Sequence, residues 1–242
     1  MTIATLALRF DAPMQSWGQR SQFIDRDTGT EPTKSGVVGV LGAACGVDRT
    51  DDLRVQELGQ LTMGVRVDRE GLLESDFHTT QNVPNTAGVN KRTVVSRRSY
   101  LADALFLVLL EGDSETLTRL EQAVRSPHWP LCFGRKAFVP ATPLVDPPGA
   151  VPAGGKVTGL FHRPLHEVVC ELPWLEPRPE ERQAVITEGE GLRLRAVVDV
   201  APDAVDAEPR LDSPLSFHPD NRRFTTRTVR VTYVSPPPPS QS

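Results

Sequence analysis

The sequence predicts an α+β fold, and three features of the chain support that prediction. The first half alternates strand-like and helix-like segments in the order βαβ–βαβ. A turn-marked segment at 72–100 interrupts this order between two strands and predicts an inserted hairpin. Short β-rich runs follow the glycine- and proline-rich stretch at 147–155. Together these features indicate a ferredoxin-like, split βαβ sheet with an inserted hairpin and a β-rich carboxy-terminal part.

Each element of the first half has a local signal. Residues 33–46 follow a proline and offer Thr33 or Ser35 as an N-cap, so they predict the first helix. Residues 113–126 place leucines and a valine on one face and predict the second helix, with Ser114 as its N-cap. The alternating or apolar runs at 5–10, 62–70 and 100–112 predict strands, and 129–145 predicts a strand and a loop.

The second half of the chain differs in composition from the first. Residues 1–146 are expected to form the main domain, and residues 147–235 a smaller β-rich part that packs on it. Residues 236–242 are rich in proline and serine and are expected to form a solvated tail. The β-like runs of the second part are 167–172, 192–200 and 228–234.

Bulk composition argues against several classes of protein. The 242 residues carry a formal net charge of -4, so the overall charge does not indicate a nucleic-acid-binding protein. The three cysteines are far apart and form no CxxC pair, which disfavours a zinc ribbon and predicts reduced thiols in a cytoplasm. The first residues are expected to form a strand rather than a signal peptide, and no apolar run approaches the roughly 20 residues that span a bilayer.

The stretch GTEPTKSGVVGVLGAACG contains a Lys-Ser pair like that of a nucleotide-binding P-loop. A P-loop needs two glycines that let the backbone wrap the phosphates, and threonines stand at both positions here, which disfavours NTP hydrolysis. A helix start still attracts anions, so Thr33, Lys34 and Ser35 either contact a phosphate or only cap the helix. Three glycines at helical spacing predict tight packing of this helix on the sheet: Gly36, Gly39 and Gly42.

The positive charges are concentrated in two segments. Residues 77–102 and 221–242 contain no acidic residue, whereas acids outnumber bases in 176–212. Two basic segments on a net-negative chain predict a localised surface for a polyanion, with an affinity that falls as salt rises. Chance clustering on a solvated surface is the alternative for either segment alone. The basic residues are Lys91, Arg92, Arg97 and Arg98 in the first segment and Arg222, Arg223, Arg227 and Arg230 in the second.

Two aromatic residues lie in polar surroundings. Trp17 in MQSWGQR and Tyr100 after SRRS could each stack on a splayed RNA base. Trp17 could equally plug the core from a loop. For Tyr100, a core position at the start of a strand is the stronger interpretation.

Five segments, in order along the chain, resemble the Cas-five family of CRISPR-associated proteins. The resemblance covers about residues 4–233, although 140–212 matches by position rather than by motif. It implies a ferredoxin-like, RRM-related palm of the RAMP superfamily with an inserted β-hairpin thumb, at about 72–99, that folds over a guide RNA. The segments are PMQSWGQRSQF, TGTEPTKSGVVGVLGAACG, RSYLADALFLVLL, PLCFGRKAFVPATP and LSFHPDNRRFTTRTV.

The resemblance also implies a function, namely a non-catalytic RNA-binding subunit of the type I-E CRISPR Cascade complex in antiviral defence. Such a subunit holds the 5′ handle of the CRISPR RNA, caps a filament of CasC-type backbone subunits and contacts the CasA-type large subunit. The resemblance also implies contacts with other Cascade subunits and only indirect contact with target DNA. It implies neither a cofactor nor a membrane. The expected RNA-binding residues are Gln15, Trp17, Arg20, Thr33, Lys34, Ser35, His78, Lys91, Arg92, Arg97, Arg98, Tyr100, Arg135, Lys136, Arg222, Arg223 and Arg227.

The alternative is a metal-independent endoribonuclease that processes CRISPR repeat RNA, an activity reported for relatives of other subtypes. This chemistry needs a general base, a general acid and a cation, for which His78, Tyr100 and Lys91 are the candidate set. No histidine stands beside a lysine in the sequence, so a local pair is missing. His162 and His166 have helical spacing, but the proline between them disfavours a helix and therefore a metal site.

Overall fold

Antiparallel pairing joins strands from both halves of the chain into one seven-stranded sheet. The computed structural model describes residues 2–18, 25–84, 88, 91–149, 156–176, 178, 180 and 192–237. Its elements are β1 (Ile3–Asp11), β2 (Met14–Gln15), β3 (Asp25–Arg26), α1 (Lys34–Cys45), α2 (Asp52–Gly59), β4 (Thr62–Arg69), β5 (Leu72–Pro84), β6 (Lys91–Ala102), β7 (Leu105–Asp113), α3 (Ser114–Arg125), β8 (Gly159–Phe161), α4 (Leu165–Glu171), β9 (Leu194–Asp199), β10 (Glu208–Ser216) and β11 (Arg223–Val234).

The strands β7 and β1 lie side by side in this sheet and are buried on both faces. The order of the sheet is β10–β11–β9–β4–β7–β1–β8. Alternate side chains of a strand point to opposite faces, so Leu6 and Phe106 enter a core formed with α1 and α3, whereas Ala7 and Leu107 enter a second core formed with α4. Because both faces of β7 are covered, its sequence is a continuous apolar run rather than an alternating one.

The strand predicted at 100–112 consists of parts of two elements. β6 ends at Ala102 and β7 begins at Leu105. Between them, Asp103 adopts a left-handed backbone with φ of 57° and its N–H donates to the carbonyl of Pro13. The chain therefore changes direction at Asp103, a charged residue inside this apolar run, where it passes from the hairpin into the main sheet.

The two predicted helices are present as α1 and α3, and two further helices, α2 and α4, were not predicted. Thr33 is the N-cap of α1 and its hydroxyl accepts from the N–H of Gly36, as predicted. The N-cap of α3 is Asp113 rather than Ser114, which is the first helical residue. The short helix α2 was not predicted, because it is mostly polar and offers little apolar periodicity.

The carboxy-terminal half extends the main sheet instead of packing on it as a separate layer. β9 pairs with β4, and β11 pairs with β9. The run at 167–172 lies largely in helix α4, which begins after Pro164 and buries its apolar face in the second core. Residues 129–145 form no strand. β10 was missed because Pro209, Pro214 and a register shift disguise it in the sequence.

The inserted hairpin predicted at 72–100 is confirmed as β5 and β6. Nearly all of β5 is exposed, so the hairpin projects from the body of the protein. The short strands β2 and β3 pair with β6 near its carboxy-terminal end, where Met14 is opposite Ala102 and Asp25 is opposite Arg97. These pairings fix the base of the hairpin to the segment that precedes α1.

A buried ion network fastens the start of α1 to the carboxy-terminal strands. The ammonium of Lys34 lies 2.9 Å from Asp199, whose carboxylate also accepts from the N–H of Met63. Arg227 contacts Asp199 at 2.5 Å and Asp212 at 2.6 Å. The side chains of these four charged residues are at most 13% exposed, so water screens their interactions poorly.

We expect Arg227→Met to lower the free energy of unfolding by about 3 kcal/mol, because it leaves two buried carboxylates without their shared cation. Urea denaturation followed by circular dichroism measures this loss. Arg230→Met is the matched control, since the Arg230 guanidinium donates to the carbonyl of Val205 and has no ion pair within the described residues. Its effect should stay within about 0.5 kcal/mol, and equal losses for the two variants would contradict the role given to the network.

Candidate nucleic-acid interface

The amino-terminal end of α1 is already occupied by a carboxylate of the same chain. The backbone N–H of Lys34 donates to Asp212 at 2.8 Å, and Thr33 caps the next turn. A carboxylate at this end is stabilised by the helix dipole. Of the two roles considered for Thr33 and Lys34, phosphate contact and capping, the structure therefore favours capping. Ser35 differs, because it lines an open groove.

Four of the residues expected to bind RNA are held in structural contacts inside the protein. Gln15 is fully buried and donates to the carbonyls of Phe10 and Ala104. Trp17 is 1% exposed and stacks on Phe10, so it plugs the core rather than offering a surface for a base. The other two are the cations of the buried network, Lys34 and Arg227. We therefore remove these four residues from the candidate interface.

Arg26, Arg98 and Arg135 converge where the hairpin joins the body, and we call them the hairpin-base cluster. Arg26 and Arg98 are opposite each other on β3 and β6. Arg135 reaches the same place from a loop and donates to the carbonyl of Ser99 at 2.7 Å. Burial lowers the pKa of the Arg135 guanidinium, repulsion from Arg98 and Arg26 lowers it further, and Asp76 acts in the opposite direction. Crowded cations of this kind gain stability when an anion binds between them.

The outer face of the hairpin carries an exposed aromatic residue that the sequence did not single out. Phe77 is 64% exposed and lies beneath the guanidinium of Arg97, which is 5.8 Å from the ring centre. Alternation along β5 places Glu74 and Asp76 on the opposite face. This arrangement leaves the Phe77 face with an arginine and no carboxylate from 73–80. The basic segment contains two aromatic residues, Phe77 and Tyr100, and no local pattern distinguishes the exposed one from the half-buried one.

A groove of about 660 Å³ lies beside α1, on the side that carries Gly39 and Gly42. Its opposite wall is the loop that contains Trp129 and Lys136. This loop is fixed to α1 because the N–H groups of His128 and Trp129 donate to carbonyls of the last turn of the helix, at 2.9 and 3.0 Å. The remaining lining residues include Ser35, Val38, Arg49, Val55, Leu58, Cys132, Phe217 and Arg222.

The three glycines of α1 have different roles, and the packing prediction holds for only one. A Cβ atom on Gly36 would lie 2.7 Å from the ring of Trp17, so that glycine allows close packing. A Cβ on Gly39 would meet no atom within 4 Å, and one on Gly42 would make an ordinary contact at 3.8 Å with Val47. Gly39 and Gly42 instead face the groove.

The carboxy-terminal basic segment is divided among separate locations. Arg222 lines the groove, whereas Arg223 pairs with Asp52 at 3.3 Å. Arg227 is buried in the ion network, and Arg230 binds a backbone carbonyl. Only the first of these four arginines therefore joins the cations of the groove.

The remaining expected residues lie along the hairpin, with one exception. Lys91 and Arg92 are exposed near the end of the hairpin that is remote from the body. Tyr100 is half-buried and packs against Phe138, which agrees with the core interpretation. Arg20 lies outside the described residues.

The candidate catalytic set does not come together in one place. Along the hairpin, His78 is opposite Ser96, Tyr100 is opposite Glu74, and Lys91 is opposite Pro84. At about 3.3 Å per strand residue, these three levels are more than 10 Å apart. Within the described residues there is also no group of three side chains suited to a metal ion. Among the helices in the described part of the chain, none is long and apolar enough to span a membrane.

These features define a class of protein, an α+β protein with an inserted basic hairpin and a cationic groove beside its first helix. The family model described as CRISPR-associated protein (Cas_Cas5) matches residues 5–230. The chain therefore belongs to this CRISPR-associated family, as the five sequence segments predicted. It is a homologue of the CRISPR system Cascade subunit CasD of Escherichia coli K12, with 34% identity over 154 residues, which are 57% of this chain and 68% of the relative.

Two solved structures resemble the whole chain. One is described as the crystal structure of a Cas protein, with a TM-score of 0.70 and 34% identity, covering 98% of this chain and 100% of that one. The other belongs to a CRISPR RNA-guided surveillance complex, with a TM-score of 0.70 and 31% identity, covering 96% and 91% of the two chains. The α+β architecture is therefore shared along nearly the full length.

The glycines of α1 generate a paired prediction about stability. Gly36→Ala should destabilise the protein by about 1–3 kcal/mol, because the new methyl group collides with Trp17. Gly39→Ala should stabilise it by about 0.5–1 kcal/mol, because alanine favours helix and the methyl group enters open space. Thermal unfolding followed by circular dichroism compares the two midpoints. A lower midpoint for Gly39→Ala than for Gly36→Ala would contradict the packing described for α1.

Proposed function

We propose that the chain is a non-catalytic RNA-binding subunit of a type I-E Cascade complex, in which it holds the 5′ handle of the CRISPR RNA and caps the backbone filament. The observation that supports this proposal most strongly is the hairpin-base cluster. Its three guanidinium groups converge from two strands and a loop, where Arg98 and Arg26 repel the guanidinium of Arg135 and Asp76 attracts it. Arginines in such an arrangement bind phosphate oxygens in forked geometry.

Cations continue from this cluster into the groove. Arg135 belongs to the hairpin base and the next residue, Lys136, lines the groove, which also contains Arg49 and Arg222. The basic hairpin and the carboxy-terminal segment therefore contribute to one connected surface through the loop around 135. A flexible single strand suits such a surface, because its phosphates can follow the cations while its bases turn outward.

The topology supports a ferredoxin-like, RRM-related palm of the RAMP type. The strand order β8–β1–β7–β4, with α1 after β1 and α3 after β7, corresponds to the order of a split βαβ sheet. In this assignment the palm is 1–146, the hairpin at about 72–99 is the thumb, and 147–235 continues the sheet. A protein of this shape offers a sheet edge, a projecting hairpin and a cationic groove to its partners.

The partners follow from the relatives. One relative is a Cascade subunit and another is part of a CRISPR RNA-guided surveillance complex. We propose CasC-type backbone subunits, a CasA-type large subunit and the other Cascade subunits as protein partners, and target DNA as an indirect one. The cellular location that fits this assembly is the cytoplasm.

Charge reversal of the hairpin tests the RNA-binding role. We expect Arg97→Glu combined with Arg98→Glu to weaken binding of a repeat-derived RNA by at least about tenfold and to reduce the slope of log affinity against log salt by about 2. Fluorescence anisotropy over a salt series measures both quantities. The control with the same charge change combines Arg119→Glu with Arg163→Glu, two exposed sites outside the interface. Equal behaviour of the two double variants would overturn the thumb assignment.

The non-catalytic role is tested by incubating the purified chain with labelled repeat RNA in the presence of EDTA. We expect the RNA to remain intact on a denaturing gel, because His78, Tyr100 and Lys91 are too far apart to act on one phosphodiester. Cleavage at a specific position that disappears in His78→Ala or Tyr100→Phe would establish the endoribonuclease instead. Cleavage that persists in both variants would indicate a contaminating nuclease, and the assay would be repeated after further purification with the Arg97→Glu, Arg98→Glu double variant as reference.

A further inference from the structure

We infer that the groove beside α1 is a pocket for one unstacked nucleobase of a single-stranded RNA, with the flanking phosphates on Arg49, Lys136 and Arg222. This inference deepens the proposed function and rests on it. The hairpin-base cluster accounts for backbone binding, whereas the groove provides a place where a base can be buried.

Packing does not explain Gly39 in α1. A glycine inside a helix is less favourable than alanine by roughly 0.5–1 kcal/mol, and that cost is usually explained by a neighbour that comes too close for a Cβ atom. No atom lies within 4 Å of a Cβ built on Gly39, and the residue is exposed to the groove. Because Gly39 has no side chain, the groove is open at this position and a flat ligand can approach the helix backbone.

The lining of the groove suits a planar apolar group. Its volume of about 660 Å³ falls within the range of roughly 300–1,000 Å³ that is typical of small-ligand pockets. Val38, Val55 and Leu58 supply an apolar floor, and Trp129 and Phe217 supply aromatic walls. A nucleobase that leaves its stack loses π contacts, and aromatic side chains of this kind restore them.

The positive charge of the groove favours an anionic ligand. Arg49, Lys136 and Arg222 line it, and none of them has an ion pair within the described residues. No aspartate or glutamate from the described part of the chain is among the lining residues. A ligand with an apolar plane and negative charges at its edge therefore complements the site. The continuity of Lys136 with Arg135 favours an RNA nucleotide over a protein segment, because the same strand can cross both places.

A double-mutant cycle between protein and RNA tests the inference. Gly39→Leu fills the floor of the groove, and an abasic nucleotide, introduced at each position of a repeat-derived RNA in turn, removes one base. We expect Gly39→Leu to weaken binding at least about fivefold, and one abasic position to weaken wild-type binding by a similar factor. At that position the two changes together should cost no more than either alone, because both remove the same contact.

Two controls separate the pocket from general effects. Gln122→Leu adds the same side chain on the exposed side of α3 and should leave RNA affinity unchanged. Thermal unfolding of Gly39→Leu should give a midpoint no lower than that of the wild type, which excludes misfolding as the cause of weaker binding. If the midpoint falls, Gly39→Ala, with its smaller volume, replaces it in the cycle.

Cys132 provides a second readout that needs no variant. Its thiol lines the groove, whereas Cys170 is exposed on α4, outside the lining of the groove. Bound RNA should slow alkylation of Cys132 by iodoacetamide at least about threefold, as measured by mass spectrometry, and should leave the rate at Cys170 unchanged. Equal rates at Cys132 with and without RNA would count against a base in the groove.

The outcomes distinguish the pocket from the proposed function. If the wild type binds RNA but Gly39→Leu has no effect, or adds to every abasic position independently, the pocket is overturned and RNA binding stands. If the wild type binds no RNA at low salt, both fail. If Gly39→Leu keeps full RNA affinity but loses assembly with the other subunits, the groove receives a protein segment and the nucleobase inference is overturned.

Discussion

The buried ion network of Lys34, Asp199, Arg227 and Asp212 is the interaction on which the arrangement of the candidate interface depends. It joins the first turn of α1 to β9, β10 and β11, which lie far away in sequence. Because Asp212 neutralises the positive end of the helix, α1 takes a fixed direction across the sheet. One wall of the groove, α1, is held in place by this network, and the opposite wall is the loop whose His128 and Trp129 N–H groups donate to carbonyls of α1.

The basic residues are of two kinds, those paired inside this network and those at the surface. Arg227 and Lys34 are buried with carboxylates and stabilise the fold, whereas Arg98, Arg135 and Lys136 reach the surface without comparable compensation. A chain of net charge -4 can therefore present a cationic surface, because Asp199 and Asp212 are paired inside the buried network, although Asp76 lies beside the hairpin-base cluster. The net charge of the chain does not reveal this surface, because it sums the paired and the unpaired charges alike.

The prediction from sequence succeeded where local signals agreed with the fold. The N-cap of α1, the apolar strands and the inserted hairpin follow from spacing that a single segment contains. It failed for α2 and β10, whose short polar or proline-containing segments acquire their structure from the neighbours they pair with. It also failed for 167–172, because a valine-rich run of that length suits a buried helix turn as well as a strand. Phe77 was overlooked because nothing local indicates that a residue will stand on an exposed hairpin face.

The sequence by itself determined the α+β class, the order of the main elements and the presence of two basic segments, since each of these depends on residues close together in the chain. Only the tertiary structure decided which arginines are exposed. The partner of Lys34 is 165 residues away, so no local pattern reveals that this cation is neutralised. The physical reason is that exposure and ion pairing are properties of the packed sheet, where residues from distant segments meet, and not of the segments themselves.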